Sequence, residues 1–445
     1  RMISSFSDAG YLILGRPHIG ADHTATVNTK VKTVAGGLIS GAGSSSTNNV
    51  TSNVTAAVGS DVDIRARDIA IDAANHFRKP ELSAANISGT TGGLIAGAEA
   101  RSTTLISFTT LVNIGASASL EVVGIQATAG GFALRALNDI TGYDKVTLGT
   151  GGLGAGAGIY SSFATAVNLA KVNIGSNAIL KSVGAVDISA RGQGDVTAKA
   201  NMDTYGAVTV GTGIVRIHIL PVNEVYVGGG AQILTEGDLN ISTGTDTDFT
   251  RDNYKIEARF DSYAGSLIPI DSTDTDVILV QENNITVAAG ALLETARNVK
   301  LHAERYGFAD IVSKAKASSW YSDGSTDASS EQYNGDHHSE AHAQVRMDGT
   351  VRTGIQRHQF LNLTGWNQAD GTINAFTKSD GVTFSVSQEK VLSTLGKALE
   401  AAASELVKYK DTNATLKAFY EGEIARIEAQ LEAEALLENQ SITLS

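Results

Sequence analysis

A single phrase recurs along the chain and limits what it can fold into. Its clearest copy, VNIGSNAILKSVGAVDISA, occupies residues 172–190. Val172 and Ile174 alternate with Asn173, Gly175 turns the chain, and Val186, Ile188 and Ala190 alternate with Asp187 and Ser189. Apolar/polar alternation over runs this short marks half-buried strands. The phrase returns from Val225 and from Ile285, and in all three copies the second strand starts fourteen residues after the first. Copies one residue shorter begin at Ala56 and Val112, and a looser one begins at Val345. The period is a little under sixty residues, which makes this a repeat protein.

A second motif precedes the first: GGLISGA at residues 36–42, GGLIAGA at 92–98 and GGLGAGA at 151–157, with weaker counterparts from Gly206 and Gly265. Gly weakens a strand unless close backbone approach is needed. The ribbon therefore marks a place where backbones, or a neighbouring body, pack tightly. Polar, threonine-rich strands lie between the two motifs. Strands that stack on their own copies through inward Val/Ile ladders describe a parallel β-helix. Its predicted core residues are Val112, Ile114, Val172, Ile174, Val186, Ile188, Val225, Val227, Ile285, Val287, Val299 and Leu301. A coil of roughly 20 residues gives three coils per repeat and a rod on the order of 90 Å long at the strand spacing. The competing architecture is a β-propeller, but Trp320 and Trp366 are not repeat-spaced and the blade signatures are missing.

The organisation follows from the repeat. Residues 1–35 read as a partial repeat and 36–313 as β-helix repeats of about 57 residues. Residues 314–386 read as irregular coils with an outward polar loop. From 387 to 439 the period changes to steps of three and four, which predicts a long α-helical segment, a hairpin or a coiled coil. Its apolar stripe is Leu395, Leu399, Leu406, Leu416, Ile424, Ile427 and Leu431, expected to join one solenoid to another or to cap its own. Residues 440–445 alternate again, as a returning strand. The expected fold class is therefore mainly β, a parallel β-helix with a long helix near the C-terminus.

Composition narrows the function. Aromatics are 6% of the chain, so the core is built from Val, Ile, Leu and Ala. The net charge of -13 argues against nucleic acid, which needs a basic footprint. There is no cysteine, which removes disulfide scaffolds and Cys-ligated metals. No apolar run is long enough to span a bilayer. The opening RMISSFSDAG, with Arg1 before Met2, reads as an internal segment of a longer protein.

The two motifs together, at residues 92–98, 112–120, 151–157, 172–180 and 186–190, resemble the filamentous-haemagglutinin-like and leukotoxin-type repeat adhesins of bacteria. The resemblance covers residues 36 to 303. It implies a right-handed parallel β-helix, secretion across the outer membrane, and an extracellular or cell-surface role in attachment. The amino-terminal secretion domain usual in such proteins is absent from this sequence, and the segment after Ser387 is not part of the pattern.

Candidate chemistry is thin. His337, His338 and His342, with Asp336 and Glu340, are the one histidine cluster, and the Gly, Ser and Asn around them favour a solvated loop over a metal site. Asp246 and Asp248, then Asp271, Asp274 and Asp276, lie in acidic stretches read as turns with some capacity for calcium, without the spacing of a known calcium loop. Nucleophile-elbow, zincin and P-loop patterns do not occur, and the expectation is no enzyme, no cofactor and no bound metal. Two non-catalytic readings follow. One is the β-helical rod of a large secreted adhesin; the other is a subunit of a self-assembling extracellular filament or sheath, joined through the helical segment and solenoid ends. The expected partners are further copies of the chain, in a homo-oligomer or a longer chain, or a host or neighbouring cell surface.

Overall fold

The computed structural model describes residues 2–6, 10–12, 17–123, 130–245, 254–304, 307–319, 328–333, 336–354, 382–383, 421, 424–425 and 443–444. Almost all of them are in strands, and the strands pair in parallel with their own copies one repeat later. Val112 pairs with Val172, Val172 with Val225, and Val225 with Ile285. Each step along the sheets is thus a whole repeat. One repeat makes one coil, where coils of roughly 20 residues were expected.

That correction changes the shape. A rung leaves along Ile69–Lys79 and Ile87–Gly92, reverses at residues 93–94, and returns along Ile95–Ile114. In the next rung the outward run, the reversal and the return form one continuous strand, Phe132–Ile174. A 20-residue return strand is about 65 Å long at the strand rise. A short third side follows, Ser119–Val122 in one rung and Ile179–Ser182 in the next. The long runs belong to a 16-stranded sheet and the short sides to a 7-stranded one. Seven stacked strands rise only about 29 Å. The body is a β-helix-like solenoid with the proportions of a blade, wider than it is long. The propeller does not fit, since blades pair antiparallel strands within a repeat whereas these strands pair in parallel between repeats.

Alternation decides which side chains fill the blade. Along Phe132–Ile174 nearly every second residue is buried. At the short-side end, Val112, Ile114, Val172, Ile174, Val186, Ile188, Val225, Val227, Ile285, Val287 and Val299 join one apolar core, with Leu301 packed partly buried against it. A second core, including Ile140, Val146, Phe163, Val196, Ile217 and Phe260, lies between the long faces. Position 138 separates the two, one inward step beyond Ala136 and one before Ile140. There Asn75 donates to Thr110, Thr110 to Asn138, Asn138 to Asn168, and Asn168 to the Tyr254 hydroxyl, at 2.6–3.1 Å. This buried polar file crosses the blade within a rung and steps from rung to rung through hydroxyls and amides in turn, leaving only the amide oxygen of Asn75, its first member, without a partner among the described residues.

The turn after each long return strand explains the recurring glycine of the first motif. A Cβ on Gly115 would come within 2.4 Å of Gly59, and one on Gly175 within 2.6 Å of the Ala116 nitrogen. Two residues further on, Asp61, Ser117, Asn177, Gly230 and Gly290 all have φ between 56° and 81°. The left-handed conformation costs an ordinary residue about 1–2 kcal/mol. Gly290→Ala is therefore expected to lower stability by about that amount, whereas Ser117→Gly should leave it equal or higher. Urea unfolding of the two variants checks the pair, and equal destabilisation would contradict the turn geometry.

Two expectations need correction. The long C-terminal α-helical segment is not seen: the described residues are almost all strand, and only Glu421, Ile424 and Ala425 are helical. Ile424 is half-buried, and Leu395, Leu399, Leu406, Leu416, Ile427 and Leu431 lie outside the described residues. Alternation resumes at the end, where Thr443–Leu444 pairs antiparallel with Val382–Thr383. Within residues 314–386, expected as irregular coils with an outward polar loop, part of the chain is described. Gly307–Ser319 and Asp336–Met347 continue the solenoid, and Ala328–Tyr333 turns back antiparallel on the first of them. Polar composition does not forbid a strand whose backbone is paired along its length. Secondly, Asp271, Asp274 and Asp276 sit on the strand Tyr254–Val287 rather than in a turn.

Candidate interaction edge

The second motif forms the far edge of the blade. The backbone reverses there, and consecutive side chains no longer alternate in and out. Leu94 and Ile95 both point into solvent. Rung by rung the first position is Leu38, Leu94, Leu153, Ala207 and Leu267, and the second is Ile39, Ile95, Gly154, Val208 and Ile268. The large members of both files are between 41% and 75% exposed. They stand about 4.8 Å apart along the stack, so the edge carries a continuous apolar ridge.

Glycine plays two separate parts at this edge. Between the rungs it is required: a Cβ on Gly93 would lie 2.1 Å from the Gly37 carbonyl oxygen, and one on Gly206 would lie 2.1 Å from that of Gly152. The flanks are different. A Cβ on Gly41, Gly97, Gly151 or Gly156 would meet nothing within 4 Å. No packing within the chain demands glycine at those positions, and each flank presents bare backbone beside the ridge. The expectation of close packing at the ribbon thus holds for the file through Gly93, Gly152 and Gly206 and not for its neighbours.

The bare flanks belong to the first three rungs. In the fourth, Tyr205 and Val210 fill the equivalent positions, in register with Gly151 and Gly156. Tyr205 is half exposed and its ring lies 5.7 Å from that of Tyr263 in the next rung. Burial and the neighbouring Asp203 charge push the Tyr205 phenol above its ordinary value, so it stays neutral.

Charged residues gather elsewhere, on the broad faces, and bridge adjacent rungs. Asp139 takes hydrogen bonds from Arg78 and, at 3.2 Å, from His76. Burial pushes its carboxyl up, but those two hydrogen bonds and charges outweigh it and hold the carboxyl below its usual range. The stability it contributes is complete above the unfolded carboxylate range and is lost as pH falls through the lower folded value. Arg216 and His218 meet Asp276 at 3.0 and 2.8 Å across the next pair of rungs. Asp276, a calcium candidate in the sequence, is thus engaged in ion pairs. These are ties between coils, and they converge on no cleft.

The other predicted site residues are dispersed. His337, His338 and His342 lie on the strand Asp336–Met347, with backbones paired to Val277, Ile278 and Glu282. Asp246 and Asp248 lie outside the described residues. Among the described residues no group of three His, Asp or Glu side chains is placed to hold a metal ion, and no helix is long and apolar enough to cross a membrane. The ridge itself was missed in the sequence. Its signal is the Leu-Ile pair directly after two glycines, which breaks strand alternation where the backbone must turn. Comparison of the chain with protein-family models, curated proteins and solved structures gave no match.

Proposed function

We propose that this chain is a non-catalytic structural and adhesive module, a β-solenoid segment of a larger extracellular or cell-surface protein. The observation that carries this reading is the repetition of an exposed large apolar side chain at the same edge register of successive rungs, as a Leu-Ile pair at 38–39, 94–95 and 267–268 and as Leu153 and Val208 between them. A fixed spacing of about 4.8 Å presents the same apolar contact several times over. Linked weak contacts of this kind gain avidity without a deep pocket. The resemblance of the two motifs to bacterial repeat adhesins supports the extracellular setting. The filament reading stands as an alternative in which the solenoid edge, and not a helix, is the joint.

Display on a heterologous bacterial surface tests the proposal. Cells carrying the chain should be retained on protein-coated glass under flow severalfold better than cells carrying the display scaffold alone. Leu94→Asp with Leu153→Asp should return retention to the scaffold level. Retention no better than that of the scaffold would overturn the adhesive role.

A further inference from the structure

The apolar edge is built to fit a copy of itself, and we infer that two chains pair edge to edge about a two-fold axis, with their solenoid axes antiparallel. This goes beyond the adhesive reading, because it names the occupant of the edge and the way it docks.

Three observations lead to it. The first is area. Ten large apolar side chains of the edge are 41–75% exposed. Together they present on the order of 1,000 Å², beyond the patches of a typical monomer and enough for the about 800 Å² per partner of a standard interface.

The second is charge. The chain carries a net charge of -13, yet residues 36–41, 92–97, 151–156, 205–210 and 265–268 contain no Asp, Glu, Lys or Arg. Two copies meeting here bring no like charges together, and no ionised group has to be desolvated. An anionic lipid surface, by contrast, would be repelled by the acidic body and would find no basic residue on the edge.

The third is shape, and it sets the orientation. The flanks of the ridge are bare at Gly41, Gly97, Gly151 and Gly156, where an added Cβ meets nothing, and are filled by Tyr205 and Val210 one rung later. A two-fold axis through the third rung, perpendicular to the broad faces, exchanges the second rung with the fourth. It keeps outgoing flank against outgoing flank and return flank against return flank. Tyr205 of one copy then lies over Gly92 of the other, where an added Cβ would meet only the Gly151 carbonyl at 4.0 Å, and Val210 lies over Gly97, each contact occurring twice as an isologous interface requires. On each flank bulk meets vacancy twice, once on each side of the axis. A parallel arrangement would set Tyr205 against the already filled fourth rung instead.

Gly97→Lys is the discriminating variant. Its Cβ enters open space, so folding is expected to be unchanged, while a charged chain fills the space assigned to Val210 of the second copy. Sedimentation velocity over a concentration series should show the parent chain dimerising below about 100 μM and Gly97→Lys weakened at least tenfold. Circular dichroism and the thermal midpoint should match the parent. Because the chain has no cysteine, Gly97→Cys with Val210→Cys should oxidise to a covalent dimer, and Gly97→Cys alone should not. A parent that stays monomeric throughout, a Gly97→Lys variant that pairs as well as the parent, or a dimer that Gly97→Cys alone cross-links would each overturn the antiparallel pairing. A folded Gly97→Lys monomer that still holds cells to protein-coated glass separates this inference from the adhesive role.

Discussion

Asp144→Ala is expected to lower the unfolding free energy by about 3–5 kcal/mol, because it leaves a buried ammonium without its counter-charge. Lys79 and Asp144 are 2.9 Å apart, and their side chains are 1% and 0% exposed. Ser102 and Ser161 donate to the same carboxylate at 2.9 and 2.8 Å, and Lys79 also donates to Thr104 at 3.1 Å. The pair sits inside the second apolar core, two inward positions beyond Ile140 and one before Val146. In so dry a place the geometry must be complete, since desolvation of either ion costs several kcal/mol. Lys79→Met with Asp144→Leu should therefore recover most of the loss, as an apolar pair of similar volume replaces the ions. Urea unfolding of the three proteins measures it. A double variant no more stable than Asp144→Ala would mean that the ion pair is a net source of stability rather than a matched cost.

The second large effect is at Ile174. Ile174 and Ile188 are fully buried, whereas Asn173 and Asp187 are half-buried on the outer face. Ile174→Asp should cost about 4 kcal/mol or more, the range reserved for an unpaired buried charge. The damage should reach the rungs on both sides, because Ile174 pairs with Ile114 below and Val227 above. Asn173→Asp should cost about 1 kcal/mol or less. It disturbs one interaction, the 2.7 Å hydrogen bond from Asn173 to Asn113, and an amide opposite a carboxylate can reorient to donate. Thermal unfolding of the two variants checks the strand register directly, and comparable losses would contradict it.

Much of the fold was legible in the sequence, for a physical reason. Strand alternation is local, so Val172-Asn173-Ile174 and Val186-Asp187-Ile188 show their inward faces without any tertiary knowledge. The recurrence of that phrase announced stacking of equivalent strands. What the sequence did not reveal was how much chain one coil consumes. Three coils of 20 residues and one coil of 57 carry the same repeat, and only the pairing of Val112 with Val172 separates them. One repeat reads in the sequence as several short strands, yet Phe132–Ile174 runs as one, since threonine suits a half-buried pleat. The helical stripe after Ser387 shows the limit of periodicity, which describes a segment in isolation and says nothing of its partners. The edge was half legible. Its glycines stand out in the sequence, but whether they face a neighbouring carbonyl, as Gly93 does, or open space, as Gly97 does, depends on the rung beneath.

The central claim is that one repeat makes one coil, and two spin labels measure it. The chain has no cysteine, so labels attach only where cysteines are introduced. Asn113 and Tyr226 both face outward and are linked through Asn173 by two register steps. Two coils place their backbones about 10 Å apart, whereas three coils per repeat would place them about 29 Å apart. Continuous-wave electron paramagnetic resonance of Asn113→Cys with Tyr226→Cys should show strong dipolar broadening relative to the two single variants. A spectrum equal to the sum of the single variants would contradict the one-repeat coil.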